Sequence, residues 1–265
     1  MRVLLAAERV PFGPKPMGGV VSWCWTIRRE LERLGHTVTE WQPGMRLAGA
    51  PFDLGIIANA RLTAPVARHC VCVTEVCHGF LSGDQPNGTL GRLVFVSEST
   101  RDRWGMDGDI IRQPIDLDFW HDAGRTRIGA VRYSYRRTET HCKAAAQALG
   151  MDCRQVGGVD YETARDALQG AVLVFASGRA ALEAMACGAR VVIYDHRATY
   201  QAPMLGGSLS EQMPQNYSGR GGKASPSLDD VIASAEWQME TAPEAFRVWV
   251  KEHHDAWRIV REIIA

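Results

Sequence analysis

Glu183 is the side chain in this sequence that most needs a chemical reason. Its neighbours Ala180, Ala181, Leu182, Ala184, Met185 and Ala186 make a helical run suited to packing against a sheet. A carboxylate on such a face costs free energy unless donors meet it, and the vicinal hydroxyls of a ribose are suitable donors. Upstream, the apolar run 171–175 breaks at Ala176-Ser177-Gly178. Downstream, Gly188 stops the helix before the apolar Val191-Val192. That order predicts a βαβ unit whose loop offers backbone N–H groups and the positive end of a helix dipole, a place for an anion. Ser177, Gly178 and Arg179 are the candidate anion-side groups, and Glu183 is the candidate for the pentose.

Other chemistry-bearing residues are more open. His78 follows the apolar run 70–76 and precedes Gly79. Strand ends in open α/β sheets face the ligand crevice, so His78 is either a site residue or a loop-capping histidine. Gly18-Gly19 precedes a predicted helix and either lets a phosphate approach the backbone or forms a surface turn. His69, Cys70, Cys72, Cys77 and His78 hint at zinc, but Cys70 and Cys72 alternate along a predicted buried strand as small hydrophobes. No second ligand pair stands at a finger-like spacing, so no metal is predicted. Asp107, Asp109, Asp116 and Asp118 read as solvated turn acids. Asn216, Ser218 and Arg220 lie in a polar stretch that covers one ligand, receives a second, acceptor ligand, or is a mobile surface loop.

Positioning these groups falls to alternating short apolar runs and amphipathic segments, the pattern of parallel sheets covered by helices. Strands are predicted at 2–7, 36–41, 54–58, 71–74 and 93–96, with a helix at 21–34 and another opening at Ser97-Glu98-Ser99-Thr100. A polar linker follows Gln113-Pro114. Alternation resumes with strands at 128–131, 153–156 and 172–175 and helices at 143–149 and 161–168. Residues 206–226 read as a long loop, and one closing helix is expected to carry Trp237, Trp249 and Trp257 near its apolar positions. Expected domains are 1–117, 118–244 and a C-terminal helix, 245–265, packing back on the first.

The run from Leu182 to Val192 resembles the nucleotide-sugar motif Leu-Glu-Ala-Met-Ala-x-Gly-x-x-Val-Val of GT-B fold glycosyltransferases, especially glycosyltransferase family 4. Gly18-Gly19, the strand-to-helix step 94–101 and the linker 114–120 are similar to that family too. The resemblance implies an α/β, GT-B protein with two Rossmann-like domains facing each other across a cleft. It implies that Glu183 binds the donor ribose, that Gly18 and Gly19 lie over the donor, and that His78 contacts the transferred sugar. It also implies that Arg132, with Arg137 or Arg136 in place of the family's lysine, neutralises the donor diphosphate. The acid that many members carry eight positions before this glutamate is Phe175 here. The implied reaction is transfer of a sugar from a nucleoside diphosphate to a hydroxyl, retaining and without metal or other cofactor.

Composition bounds the partners. Thirty basic and thirty acidic residues give zero formal net charge over 265 residues, so no bulk field draws the chain to nucleic acid or anionic lipid. Hydrophobic content of 46% with 23% charged residues is that of an ordinary globular protein. No apolar run approaches a membrane span, and seven scattered cysteines suit a reducing compartment, so the expected location is the cytoplasm. The acceptor is left open between a glycan, a small molecule and a hydroxymethylated base in DNA. The cluster Arg125, Arg127, Arg132, Arg136 and Arg137 points to the last. A nucleotide-sugar epimerase and a non-catalytic nucleotide-binding module are the other readings.

Overall fold

The computed structural model describes residues 1–8, 19–47, 49, 51–58, 60–79, 84–88, 90–134, 141–195, 204–219, 223–224 and 226–265. The chain divides into two compact units, Met1–Asp116 with Asp255–Ala265, and Leu117–His254. The first crossing lies one residue from the expected boundary. At the second, residues 245–254 go with the second unit.

In the first unit, β1 (Arg2–Ala6), β2 (Thr37–Trp41), β3 (Phe52–Ile57), β4 (Cys70–Cys77), β5 (Arg92–Phe95) and β6 (Asp109–Ile110) form one parallel sheet in the order β2-β1-β3-β4-β5-β6. Its helices are α1 (Gly19–Arg33), α2 (Thr63–Ala67) and α3 (Glu98–Trp104). The continuous apolar run of β1 follows from cover on both faces. Val3 and Leu5 pack with Trp23, Ile27 and Leu31 of α1, while Leu4 and Ala6 pack with Trp41, Phe52 and Val66. Ser97 caps α3, its hydroxyl accepting the Thr100 N–H.

In the second unit, β7 (Ala130–Tyr133), β8 (Cys153–Val156), β9 (Leu173–Ala176) and β10 (Arg190–Asp195) are parallel. β11 (Met204–Leu205) and β12 (Lys223–Ala224) extend the sheet antiparallel, giving β12-β11-β10-β9-β7-β8. Helices α4 (His141–Ala148) and α8 (Leu228–Glu240) pack together on one face. On the other, α6 (Arg179–Ala186) packs against β9, β10, α5 (Tyr161–Gln169) and α9 (Pro243–His254). A short helix, α7 (Leu209–Gln212), stands between β11 and β12, so residues 206–226 are not a single loop. The chain then returns to the first unit as α10 (Ala256–Ile264), whose Ile259, Val260 and Ile263 join the α1 core.

Three expectations are corrected. The closing segment is three helices, because Pro243 begins α9 and the Asp255 carboxylate caps α10 by accepting the Trp257 N–H. Trp237 and Trp257 are exposed at 51% and 56%, whereas Trp249 is part-buried with its indole N–H bonded to the Tyr217 hydroxyl. Cys72 is exposed rather than buried, whereas Cys70 is half-buried and packs beside Phe52 and Val66 as a small hydrophobe. Among the described residues no helix is long and apolar enough to cross a membrane.

Candidate functional site

The chain reverses direction across the second sheet between β7 and β9, since β8 lies on the far side of β7 while β10 follows β9. In open α/β sheets such a switch point opens a crevice at the carboxyl ends of the strands. Tyr133 ends β7, and Ser177 and Gly178 follow β9 into α6. Gly178 has φ +60° and ψ −138°, a backbone state that favours glycine, and it ends the strand abruptly. Gly188, at φ +78°, ends α6 where a Cβ would strike the Arg127 guanidinium, so both glycines framing this helix are required by conformation or space.

Glu183 is buried on the second turn of α6. Its Oε1 accepts from Arg179 Nε at 3.0 Å and its Oε2 from the Tyr133 hydroxyl at 3.0 Å. The Arg179 and Glu183 side chains are 4% and 3% exposed. A buried ion pair is held by geometry and further hydrogen bonds rather than by bulk stabilisation, and Tyr133 supplies such a bond. The carboxylate therefore lies in the protein interior beside the strand ends and is already oriented by two side chains. Tyr133 gave no signal as a site residue in the sequence. Its strand position alternates with Arg132, so its ring goes to the opposite sheet face.

Arg132 is buried and pairs in register with Phe175, whose ring lies in the α4/α8 core with Cys142, Tyr194 and Val231. Arg132 thus belongs to the α4/α8 face and Glu183 to the α6 face, on either side of the same switch point. Burial pushes the neighbouring Tyr194 phenol up to about 12, against the opposing charge of Arg132. Phe175 fills core volume, so the apolar residue at this position serves packing.

The Asn216-to-Gly219 turn packs against the start of α6. Asn216 and Tyr217 have φ of 52° and 51°, and the Tyr217 carbonyl accepts the Gly178 N–H. A tyrosine in that region is strained by about 1–3 kcal/mol. Burial holds it there, together with hydroxyl bonds to His254 Nε2 at 3.0 Å and from Trp249 Nε1 at 2.6 Å. Ser218 is buried and Asn216 half-buried in the same turn. The Gly178 N–H, expected to be open to an anion, already has a protein acceptor.

In the first unit, His78 follows β4 half-buried, edge-on to Trp23 with ring centroids 4.7 Å apart. Burial pushes the preceding Cys77 thiol up to about 12. Gly19 opens α1, and a Cβ there would meet nothing within 4 Å, so the described surroundings do not demand glycine. Gly18, Arg136, Arg137 and Arg220 lie outside the described residues. Of the basic cluster, Arg125 pairs with Asp166 at 3.3 Å and Arg127 with Asp122 at 2.9 Å. Asp116 is not a solvated turn acid. It is 1% exposed and accepts from Arg29 Nε at 2.9 Å and Arg33 Nη1 at 3.0 Å. Among the described residues no group of three or more His, Cys, Asp or Glu side chains could hold a metal ion.

Two parallel-sheet α/β units of this construction are those of the GT-B fold of glycosyltransferases. Among solved structures, the chain is similar to AviGT4, a glycosyltransferase involved in avilamycin A biosynthesis, at 16% identity over 99% of each chain and a TM-score of 0.56. It is similar to an α-glucosyltransferase in complex with UDP and a 13-mer DNA, at 11% identity over 100% of this chain and 98% of that one, TM-score 0.62. The UDP-GlcNAc 2-epimerase of Neisseria meningitidis, bound to UDP-GlcNAc, is similar at 8% identity over 100% and 98%, TM-score 0.55. At these identities the likeness is one of fold. No protein-family model matches the sequence, and no curated protein matches it.

Proposed function

We propose that this chain is a glycosyltransferase of the family 4 kind, moving a sugar from a nucleoside diphosphate to an acceptor hydroxyl with retention and without a metal. The observation that carries the proposal is the carboxylate of Glu183, 3% exposed in an apolar helix after a glycine turn and oriented beside the β7/β9 switch point. In the reaction the bond between the anomeric carbon and the diphosphate oxygen breaks. A bond to the acceptor oxygen forms, the acceptor hydroxyl releases its proton, and the nucleoside diphosphate leaves with added negative charge. Stabilising that charge is the main electrostatic task. Arg132 and Arg137 are assigned to it, with Ser177, Gly178 and Arg179 beside the donor at the opening of α6. Glu183 takes the ribose hydroxyls, and His78 and the Gly18-Gly19 segment are assigned to the sugar. Asn216, Ser218 and Arg220 are assigned to the edge of the donor site, since the described part of that turn packs on Gly178.

A small molecule or glycan is favoured as acceptor over DNA. Arg125 and Arg127 are engaged by Asp166 and Asp122, which weakens the basic footprint a duplex needs. The test is a thermal-shift screen against UDP, GDP, ADP and their sugars. Stabilisation by one base is expected and names the donor, because a ligand at a hundred times its Kd adds about 2.7 kcal/mol. A flat response to all of them sinks the proposal. Donor conversion without any acceptor would instead mark an epimerase, and salt-sensitive retention on duplex DNA would restore the DNA acceptor.

A further inference from the structure

Tyr133 ties the Glu183 carboxylate to the sheet. The Arg179–Glu183 bond is local, one helical turn apart on α6, and on its own it leaves the carboxylate moving with that helix. The Tyr133 bond joins residues 50 apart in sequence and crosses from the end of β7 to α6. Each carboxylate oxygen is thus fixed by a different donor from a different element, and rotation about the last side-chain bond is stopped. Ionised carboxylate oxygens each accept more than one hydrogen bond, so this arrangement orients the group without consuming it. A group held at both oxygens meets a rigid pair of hydroxyls without first losing rotational freedom.

We infer that Tyr133 is a positioning residue which sets Glu183 to recognise a vicinal diol, making the site selective for ribonucleoside over 2′-deoxyribonucleoside diphosphates. The inference rests on the donor reading proposed above. It adds a specificity that neither the acid nor the glycine turn supplies alone, because a rejected deoxy analogue leaves an oriented buried acceptor poorly matched.

Calorimetric titration of the full chain with UDP, GDP and ADP and with their 2′-deoxy counterparts tests it. The wild type is expected to bind one ribonucleotide about tenfold tighter than its deoxy form, the effect of one well-made hydrogen bond to a charged group. In Tyr133→Phe the ribonucleotide should weaken until the preference falls to about twofold, with the deoxy affinity little changed. A purely structural role would weaken both forms equally and keep the ratio, and that result overturns the inference while leaving the donor reading intact. A wild type without preference for the ribo form overturns it too. A wild type that binds none of the six overturns the donor reading itself. Tyr133→Leu is the companion variant: it removes the ring as well, and a ratio that survives in it overturns the inference even if Tyr133→Phe folds poorly.

Discussion

Asp116 in the first unit and Glu183 in the second are each buried and each accept hydrogen bonds from two side chains. Asp116 faces two arginines, Arg29 and Arg33, whose side chains are 38% and 36% exposed. Glu183 faces one arginine that is 4% exposed and one tyrosine. Asp116 closes a charge cluster at the last residue before the chain leaves its unit, next to the Ile115–Asp255 bridge where it returns. That arrangement anchors two passing segments to α1. Glu183 stands beside the switch point of its sheet, with a neutral hydroxyl as its second donor. The first acid faces two arginines that water can reach and shares Arg33 with the buried Glu30, which accepts from it at 3.2 Å, as suits a clamp. The second is paired with one arginine that water does not reach and held by one neutral hydroxyl.

Breaking the second cluster should have the largest effect. Glu183→Ala leaves the Arg179 guanidinium buried and without its carboxylate, and removing one member of a buried pair costs about 3–5 kcal/mol. Urea denaturation should show that loss as a lower midpoint at unchanged slope, and calorimetry should show nucleotide binding abolished. Glu183→Gln, which keeps the volume, should retain more of the stability and still bind poorly. A Gln variant that binds like the wild type would place the pentose elsewhere.

Breaking the first cluster should cost less and leave binding alone. In Asp116→Ala, Arg29 and Arg33 can rehydrate, so the expected loss is about 1.5–3 kcal/mol, the range for hydrogen bonds to charged groups. Nucleotide affinity should stay within about twofold of wild type, near the scatter expected for independent sites. The pH dependence gives a sharper signature. Burial raises the Asp116 carboxyl, but the hydrogen bonds and charges of Arg33 and Arg29 outweigh it and leave the group below its ordinary value of 3.8. Between the folded and ordinary values the unfolded chain binds more protons, so stability rises with pH there. The contribution is full above the ordinary value and lost as pH falls through the folded one. Asp116→Asn should therefore flatten the acid limb of the stability curve. An unchanged limb would mean that the clamp contributes nothing.

The two acids also differ in how far they could be read in advance. The burial of Glu183 was legible because a charge among alanines and leucines contradicts its own helix, and the glycines around it mark where the helix must start and stop. Asp116 was not, because an Asp-x-Asp pair in a polar linker looks solvated and its partners lie 83 and 87 residues upstream. Arg29 and Arg33, one turn apart on α1, were the available hint. Tyr133 was hidden in the same way: an aromatic at a strand end is ordinary core, and only the turn of the chain across β7 and β9 brings it to α6. The alternating parallel architecture was legible since burial on both faces writes continuous apolar runs. The two-residue strands β6, β11 and β12 were not, being too short to carry a period.

The smallest expected effect serves as the control for both clusters. On α8 the buried residues are Val231, Ala235 and Gln238, one stripe at helical spacing, and Trp237 points away from it at 51% exposure. Grouping it with Trp249 and Trp257 on one amphipathic helix assumed a continuity that Pro243 and Asp255 break. A side chain off the packed stripe contributes little, so Trp237→Gln should change stability by no more than about 0.5 kcal/mol, the usual range for surface substitutions, and leave nucleotide binding unchanged. Denaturation midpoints of this variant beside Glu183→Ala and Asp116→Ala test the ranking. A loss from Trp237→Gln as large as that from Asp116→Ala would mean that the exposed indole packs against something, and the contrast between clamp and site would then need a third term.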